Sequence, residues 1–316
     1  MSLKKRFLCA LLGVFLVLGG ICCAMFDFSK RDYQFPAIAA QVAPVSGLQP
    51  SLFEQPSGYL NQSLLELAMQ LCRSPRRGLL RLGFTGDDYQ RYSKTQLFPG
   101  FYIAAKTTVV NGEETAIVVV VMSGTTTLGH WVSDVNVLKS DYLGYKVHRG
   151  FMEYADSVYS ALVKYLNTRT DLPENRKLLL TGHSAGGAAA NLLAARLDEE
   201  QTIAKKEDIY AYTFACPNVL FGTKSDATAY NNIFNVFNTL DIVPYVPSGF
   251  SDGENSWRKF GLLLSFSSGN ELDPHSHAVY LRYVQFAQFT DEEPSFSLGF
   301  GVNWLKERLN AARRGS

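Results

Sequence analysis

Neither sign of charge prevails in this chain: 30 Lys and Arg stand against 29 Asp and Glu, a net charge of +1. A long basic stripe interleaved with aromatics is missing, so nucleic acid is not an expected partner. No internal repeat is present, which excludes a solenoid or propeller. Cysteine is scarce. Of Cys9, Cys22, Cys23, Cys72 and Cys216, three fall inside the first 26 residues. Cys72 and Cys216 are too few for a disulfide framework and read as small buried hydrophobes. No Cys and His spacing suits zinc, and no metal or other cofactor is expected. Histidine is equally rare, at His130, His148, His183, His275 and His277. What the chain does have is apolar residues, 47% of 316, enough to bury a large core.

The first residues carry an address. Lys4, Lys5 and Arg6 precede an uncharged, mostly apolar stretch from Phe7 to Phe26, and Ala24 offers a small residue for cleavage. This is the layout of a secretory signal peptide over residues 1–24, and it predicts a secreted, periplasmic or otherwise extracytoplasmic protein. The stretch also has the length to span a bilayer, so an uncleaved anchor over residues 7–26 is the alternative. Leu18 to Cys22 only loosely approximates a lipoprotein processing site.

Residues 25–316 read as one α/β domain. Asp27 to Leu60, rich in Pro, Gln, Ser and Gly, suggests an extended arm, and the fold proper starts near Leu60. Leu64, Leu65, Leu67, Ala68, Leu71 and Cys72 recur at helical spacing before Pro75. Phe101 to Val110 and Thr115 to Met122 form a hairpin through Asn111-Gly112. Phe151, Tyr154, Ala155, Val158, Ala161, Leu162 and Tyr165 mark the inner face of a helix. The apolar runs Lys177 to Thr181, Ile209 to Ala215 and Ile233 to Asn238 alternate with helical or polar connections. That alternation predicts a mainly parallel central sheet with helices on both faces and an antiparallel N-terminal hairpin, the α/β-hydrolase type of fold. Asn303 to Ser316 reads as a short basic amphipathic helix or a solvated tail.

Residues 180 to 187, Leu-Thr-Gly-His-Ser-Ala-Gly-Gly, put Ser184 at the centre of G-x-S-x-G, between an apolar strand and an alanine-rich helix. A nucleophilic serine needs such a strained turn, and bulk at Gly182 or Gly186 collides with neighbouring backbone. The hydroxyl also needs a histidine to take its proton and a carboxylate to hold that histidine. In α/β-hydrolases the acid and the histidine follow the serine, which leaves His275 and His277 as the supply. Most acids in the interval lie in polar clusters. Asp241 directly follows the apolar strand Ile233 to Leu240 and is the best carboxylate. Ala185, next to the nucleophile, and Thr125, after the strand ending at Met122, are the expected oxyanion donors. Leu128 to Val137 is apolar enough to be buried core or a mobile lid that opens on a lipid surface.

These stretches together resemble the class 3 lipase family over roughly Val118 to Tyr280. They are Ser-Gly-Thr-Thr-Thr-Leu-Gly-His-Trp-Val-Ser-Asp (123 to 134), Val-His-Arg-Gly-Phe (147 to 151), Thr-Gly-His-Ser-Ala-Gly-Gly (181 to 187), Thr-Phe-Ala-Cys-Pro (213 to 217), Asn-Thr-Leu-Asp-Ile-Val-Pro-Tyr-Val-Pro (238 to 247) and His-Ala-Val-Tyr (277 to 280). The resemblance implies Ser184 as nucleophile, Asp241 as acid and His277 as base, because the family's histidine is often followed three positions on by tyrosine. It implies Thr125 as oxyanion residue and Thr126 to Leu138 as lid. Ser123, His130 and the Ala215 and Asn218 of the block after the helix depart from the family's usual residues; none touches the triad.

The expected activity is a serine carboxylic ester hydrolase of the triacylglycerol lipase kind, acting through an acyl-enzyme on a lipid ester at a membrane or droplet surface. Phospholipase or lysophospholipase activity is an alternative, as is an exported lipid-binding protein without catalysis. The sequence leaves protein partners open. Export with cleavage predicts a mature chain that begins after Ala24; N-terminal sequencing that instead finds an intact leader selects the anchor.

Overall fold

The computed structural model describes residues 47–95, 98–125, 138–222, 227–247, 256–268 and 273–286. The export or anchor segment, most of the N-terminal arm, lid residues 126–137 and the basic C-terminal piece lie outside them. The first helix, α1 (Gln62–Arg73), begins where the Asn61 side chain accepts the Leu64 amide at 3.1 Å. It buries Leu64, Leu65, Leu67, Ala68 and Leu71 and stops ahead of Pro75, whose fixed φ then opens a short second helix, α2 (Pro75–Arg81). After β1 (Tyr89–Tyr92) comes the hairpin of β2 (Phe101–Val110) and β3 (Glu113–Met122). Asn111 and Gly112 take φ of 51° and 83°, the left-handed pair that a two-residue turn needs to match strand twist.

Beyond the hairpin run β4 (Lys139–Tyr142), β5 (Tyr145–His148), α3 (Arg149–Thr168), β6 (Arg176–His183), α4 (Ala185–Glu200) and β7 (Ile209–Phe214). They are followed by β8 (Leu220–Phe221), β9 (Ile233–Asn238), β10 (Trp257–Arg258), β11 (Leu262–Phe266) and α5 (His277–Phe286). The main sheet has seven strands in the order β1-β2-β3-β6-β7-β9-β11. From β3 to β11 every neighbouring pair is parallel, and β1 and β2 extend the sheet antiparallel. Both faces are covered. In β3, Val118, Val120 and Met122 join a core with Tyr154, Val158 and Leu162 of α3 and with the alanines of α4. Ile117, Val119 and Val121 point the other way, into a core with the leucines of α1 and with Val279, Tyr280 and Val284 of α5. Strands buried on both sides explain why β6, β7 and β9 read as continuous apolar runs without alternation.

This is the α/β-hydrolase architecture expected from the sequence. A second sheet, in the order β10-β8-β5-β4, is an addition. Its strands hold two to four residues each, too few to carry a legible period, and β1 has the same problem.

Parallel topology gathers the carboxyl ends of β3, β6, β7 and β9 along one edge, where chemistry can be assembled from loops far apart in sequence. At the opposite end of α4, Asp198 is buried and takes one hydrogen bond from the Asn232 amide at 2.8 Å. Its other oxygen and the Asn232 carbonyl oxygen are buried without partners among the described residues. Burial raises the Asp198 carboxyl from 3.8 to about 7. The folded state therefore binds a proton that the unfolded state has released between those values, and stability falls as pH rises from about 4 to about 7. Asp198→Asn is expected to flatten that decline, read from urea midpoints across the interval.

Candidate active site

β6 ends at His183 and α4 begins at Ala185, so the entire reversal rests on Ser184. It adopts φ 59° and ψ −127°, a conformation costing an L-residue on the order of 1–3 kcal/mol. The turn is this tight because backbone crosses it on two sides. A Cβ on Gly182 would lie 2.2 Å from the Gly186 carbonyl oxygen, and one on Gly186 would lie 2.1 Å from that of Met122. The Ser184 amide is tied to the Phe214 carbonyl of β7 at 2.9 Å. Its hydroxyl is buried and has no hydrogen-bond partner among the described residues. A buried hydroxyl left unpaired costs about 1–3 kcal/mol, a debt that native proteins carry mainly where chemistry needs it.

Asp241 sits just past β9, 1% exposed. Oδ1 accepts the Val243 amide at 3.0 Å, and Oδ2 accepts the Tyr280 hydroxyl at 2.8 Å. Oδ2 also meets His275 Nδ1 at 2.7 Å. Three donors make burial of this carboxylate tolerable, since an unpaired one costs several kcal/mol. Here the structure departs from the expectation for His277. Asp241 pairs with His275, and His277 instead stacks on His183 with ring centroids 4.1 Å apart. The cause lies in the loop before α5. The Asn238 amide holds the Pro274 carbonyl at 3.0 Å, which fixes the preceding residue, and Ser276 caps α5 through the Val279 amide. His275 is thereby turned towards the end of β9. His277, already in the first turn of the helix, turns towards His183.

The ring of His183 links the parts. It lies 4.7 Å from His275 and edge-on to Tyr280 at 5.3 Å, and it belongs to the residue preceding Ser184. Burial, then the neighbouring His277 and His275, hold His183 well below the usual imidazole range. Burial first, then His275 and the Arg73 guanidinium, push His277 down to about 4, so it is neutral at physiological pH. Tyr280 is driven far above the ordinary phenol range by burial and the Asp241 charge, which keeps its proton available to the carboxylate. The roles of Tyr280 and of the His183 ring were not legible in the sequence. The only sign of them was that Tyr280 follows the histidines and His183 occupies the elbow.

The remaining expected residues lie on the same edge. Ala185 is buried at the start of α4, where amides lack helical partners. The loop Ser123 to Thr125 presses on the elbow, since a Cβ on Gly124 would come 2.8 Å from the His183 carbonyl oxygen and 3.2 Å from Ser184 Cβ. Thr125, next along, is half-buried. No cluster of His, Cys, Asp or Glu able to hold a metal occurs among the described residues.

Residues 119–250 match the family described as Lipase (class 3). Over that stretch the chain is similar to the class 3 lipase family. The matched segment contains Ser184 and Asp241 and ends before either candidate histidine. A lipase of Rhizomucor miehei is 28% identical over 163 residues, 47% of this chain and 44% of that protein. A toxin of Vibrio cholerae, TseL, is 32% identical over 114 residues, 35% of this chain and 16% of that one. The chain thus spans less than half the length of these relatives. Among solved structures, the Rhizomucor miehei lipase propeptide complex aligns with a TM-score of 0.48 at 20% identity, covering 75% of this chain and 82% of that one.

The elbow makes a direct stability prediction. Gly186→Ala forces a Cβ into the Met122 carbonyl and is expected to cost more than about 3 kcal/mol. Gly86→Ala, where nothing lies within 4 Å, should stay within about 0.5 kcal/mol. Thermal or urea unfolding of the two variants checks the contrast.

Proposed function

We propose that the protein hydrolyses carboxylic esters of lipids, with Ser184 as nucleophile, His275 as general base and Asp241 as the acid that orients it. The reading is carried by one observation: the buried Asp241 binds His275 at Nδ1, leaving Nε2 as the free pole of an imidazole that lies, tilted, against the ring of the residue preceding Ser184. Naming of the Rhizomucor relative as a lipase supports the choice of ester. The substitution of His275 for His277 follows from the pairing above.

In this mechanism Nε2 takes the Ser184 proton as Oγ bonds to the ester carbonyl carbon. Negative charge on the carbonyl oxygen is received by the Ala185 amide and by Thr125, and the helix dipole of α4 adds to the field there. His275 then gives its proton to the departing alcohol, and the C–O ester bond breaks. Water, deprotonated by the same Nε2, attacks the acyl-enzyme and releases the fatty acid, restoring Ser184. Asp241, bonded to Nδ1, holds the tautomer that leaves Nε2 free. The hydrophobic stretch Leu128 to Val137 would serve as a lid over lipid, and the apolar leader would direct the enzyme to an extracytoplasmic surface.

Ser184→Ala and His275→Ala are each expected to lower kcat on a short-chain ester by about 10⁴-fold or more, and His277→Ala by far less. A fluorophosphonate probe should label Ser184 in the folded protein, and label should be lost in His275→Ala. A folded wild type that takes no label would falsify the reading; equal losses in the two histidine variants would return the base to an open question between them.

A further inference from the structure

β1 and β3 run in the same direction, because each is antiparallel to β2 between them. The residues that follow β1 therefore emerge at the same sheet edge as the loop Ser123 to Thr125 that follows β3. A cleft of about 310 Å³ lies between these two exits. One wall is Ser123 and Gly124, which touch the elbow; the other carries Arg91, Tyr92 and Lys94. Arg91 and Lys94 are exposed, and among the described residues no carboxylate lines the cleft and neither cation forms an ion pair. Pro75, at one end, opens helix α2, whose Arg76, Arg77 and Arg81 are exposed and likewise without a carboxylate partner among the described residues. In a chain whose net charge is +1, this edge gathers cations without their counter-charges.

We propose that this cleft is a head-group subsite that receives the phosphate of a phosphoglyceride whose acyl ester lies over Ser184, which makes an anionic phospholipid the substrate class. The inference rests on the reading of Ser184 as nucleophile. An acyl chain has no use for two unpaired cations, whereas phosphate oxygens pair with both, the planar guanidinium of Arg91 in bidentate fashion and the ammonium of Lys94 as a point charge. The volume lies at the lower end of clefts that hold small molecules, room for a glycerophosphate but not for two chains. Arg76 and Arg77, outside the cleft, have a different part: they supply a diffuse field that draws the enzyme towards an anionic surface and read no particular group.

The test uses dihexanoylphosphatidylglycerol and dihexanoylglycerol, each dissolved below its critical micelle concentration so that no surface is present. The readout is the ratio of kcat/KM for the phospholipid to that for the diacylglycerol, measured as hexanoate released. R91A/K94A is expected to lower this ratio about 10-fold, a few-fold for each exposed cation removed from the phosphate. R76A/R77A should leave the ratio where it was and weaken only binding to phosphatidylglycerol vesicles. An unchanged ratio in R91A/K94A, or an equal fall in both double variants, overturns the subsite. Calorimetric binding of dihexanoylphosphatidylglycerol to Ser184→Ala supplies an arm independent of turnover. About 10-fold weaker binding on adding R91A/K94A sustains the subsite even if neither ester is cleaved, which would sink the hydrolase reading alone. Binding indifferent to the two cations, with the diacylglycerol still cleaved, sinks the subsite alone.

Discussion

Three stretches of backbone meet at Ser184 with no space for a side-chain carbon between them. The Gly186 carbonyl faces Gly182, the Met122 carbonyl faces Gly186, and the His183 carbonyl faces Gly124. That closeness is what forces Ser184 into a positive φ, and a reversal with φ 59° is sharp enough to set the residue at the very rim of the sheet. The strain of about 1–3 kcal/mol is held by the cores on either face, with Val118 and Val120 on one side and Val119 and Val121 on the other. A residue can be kept in a rare conformation only where its surroundings leave it no other.

Polar satisfaction at the rim is uneven, and the unevenness has a direction. Asp241 is bonded to an amide, a phenol and an imidazole. Ser184 Oγ has no partner among the described residues. Between them stands a packed group of rings, His183, His275, His277 and Tyr280, in which two imidazoles are held neutral by burial. Of the three imidazoles, the one that meets the Asp241 carboxylate is His275, through Nδ1.

How far the sequence could be read depended on the length of the signal. Ten-residue strands, a 20-residue amphipathic helix and the Asn-Gly turn show their period plainly. The small sheet of two- to four-residue strands does not, because pairing across distant segments makes those strands and local pattern does not. Ser184 and Asp241 were legible for a related reason: each is fixed by the strand immediately before it. The histidine was not. His275 and His277 are two residues apart in a loop and helix start, and the choice between them turns on the bond from Asn238 to the Pro274 carbonyl, which joins residues 36 positions apart. Arg91 and Lys94 were hidden for the same reason, since nothing in the order of residues says that β1 ends beside the loop after β3.

By itself the sequence determined the α/β layering, the elbow and the carboxylate, because alternation of apolar runs, a glycine-flanked serine and an acid at a strand end are local and act through backbone sterics and burial. Tertiary structure alone decided which imidazole meets Asp241, that Tyr280 completes the carboxylate's shell, and that two cations without an ion pair among the described residues stand by the loop Ser123 to Thr125. Each of those depends on side chains brought together by strand order, and strand order is settled by how the whole sheet buries its two faces.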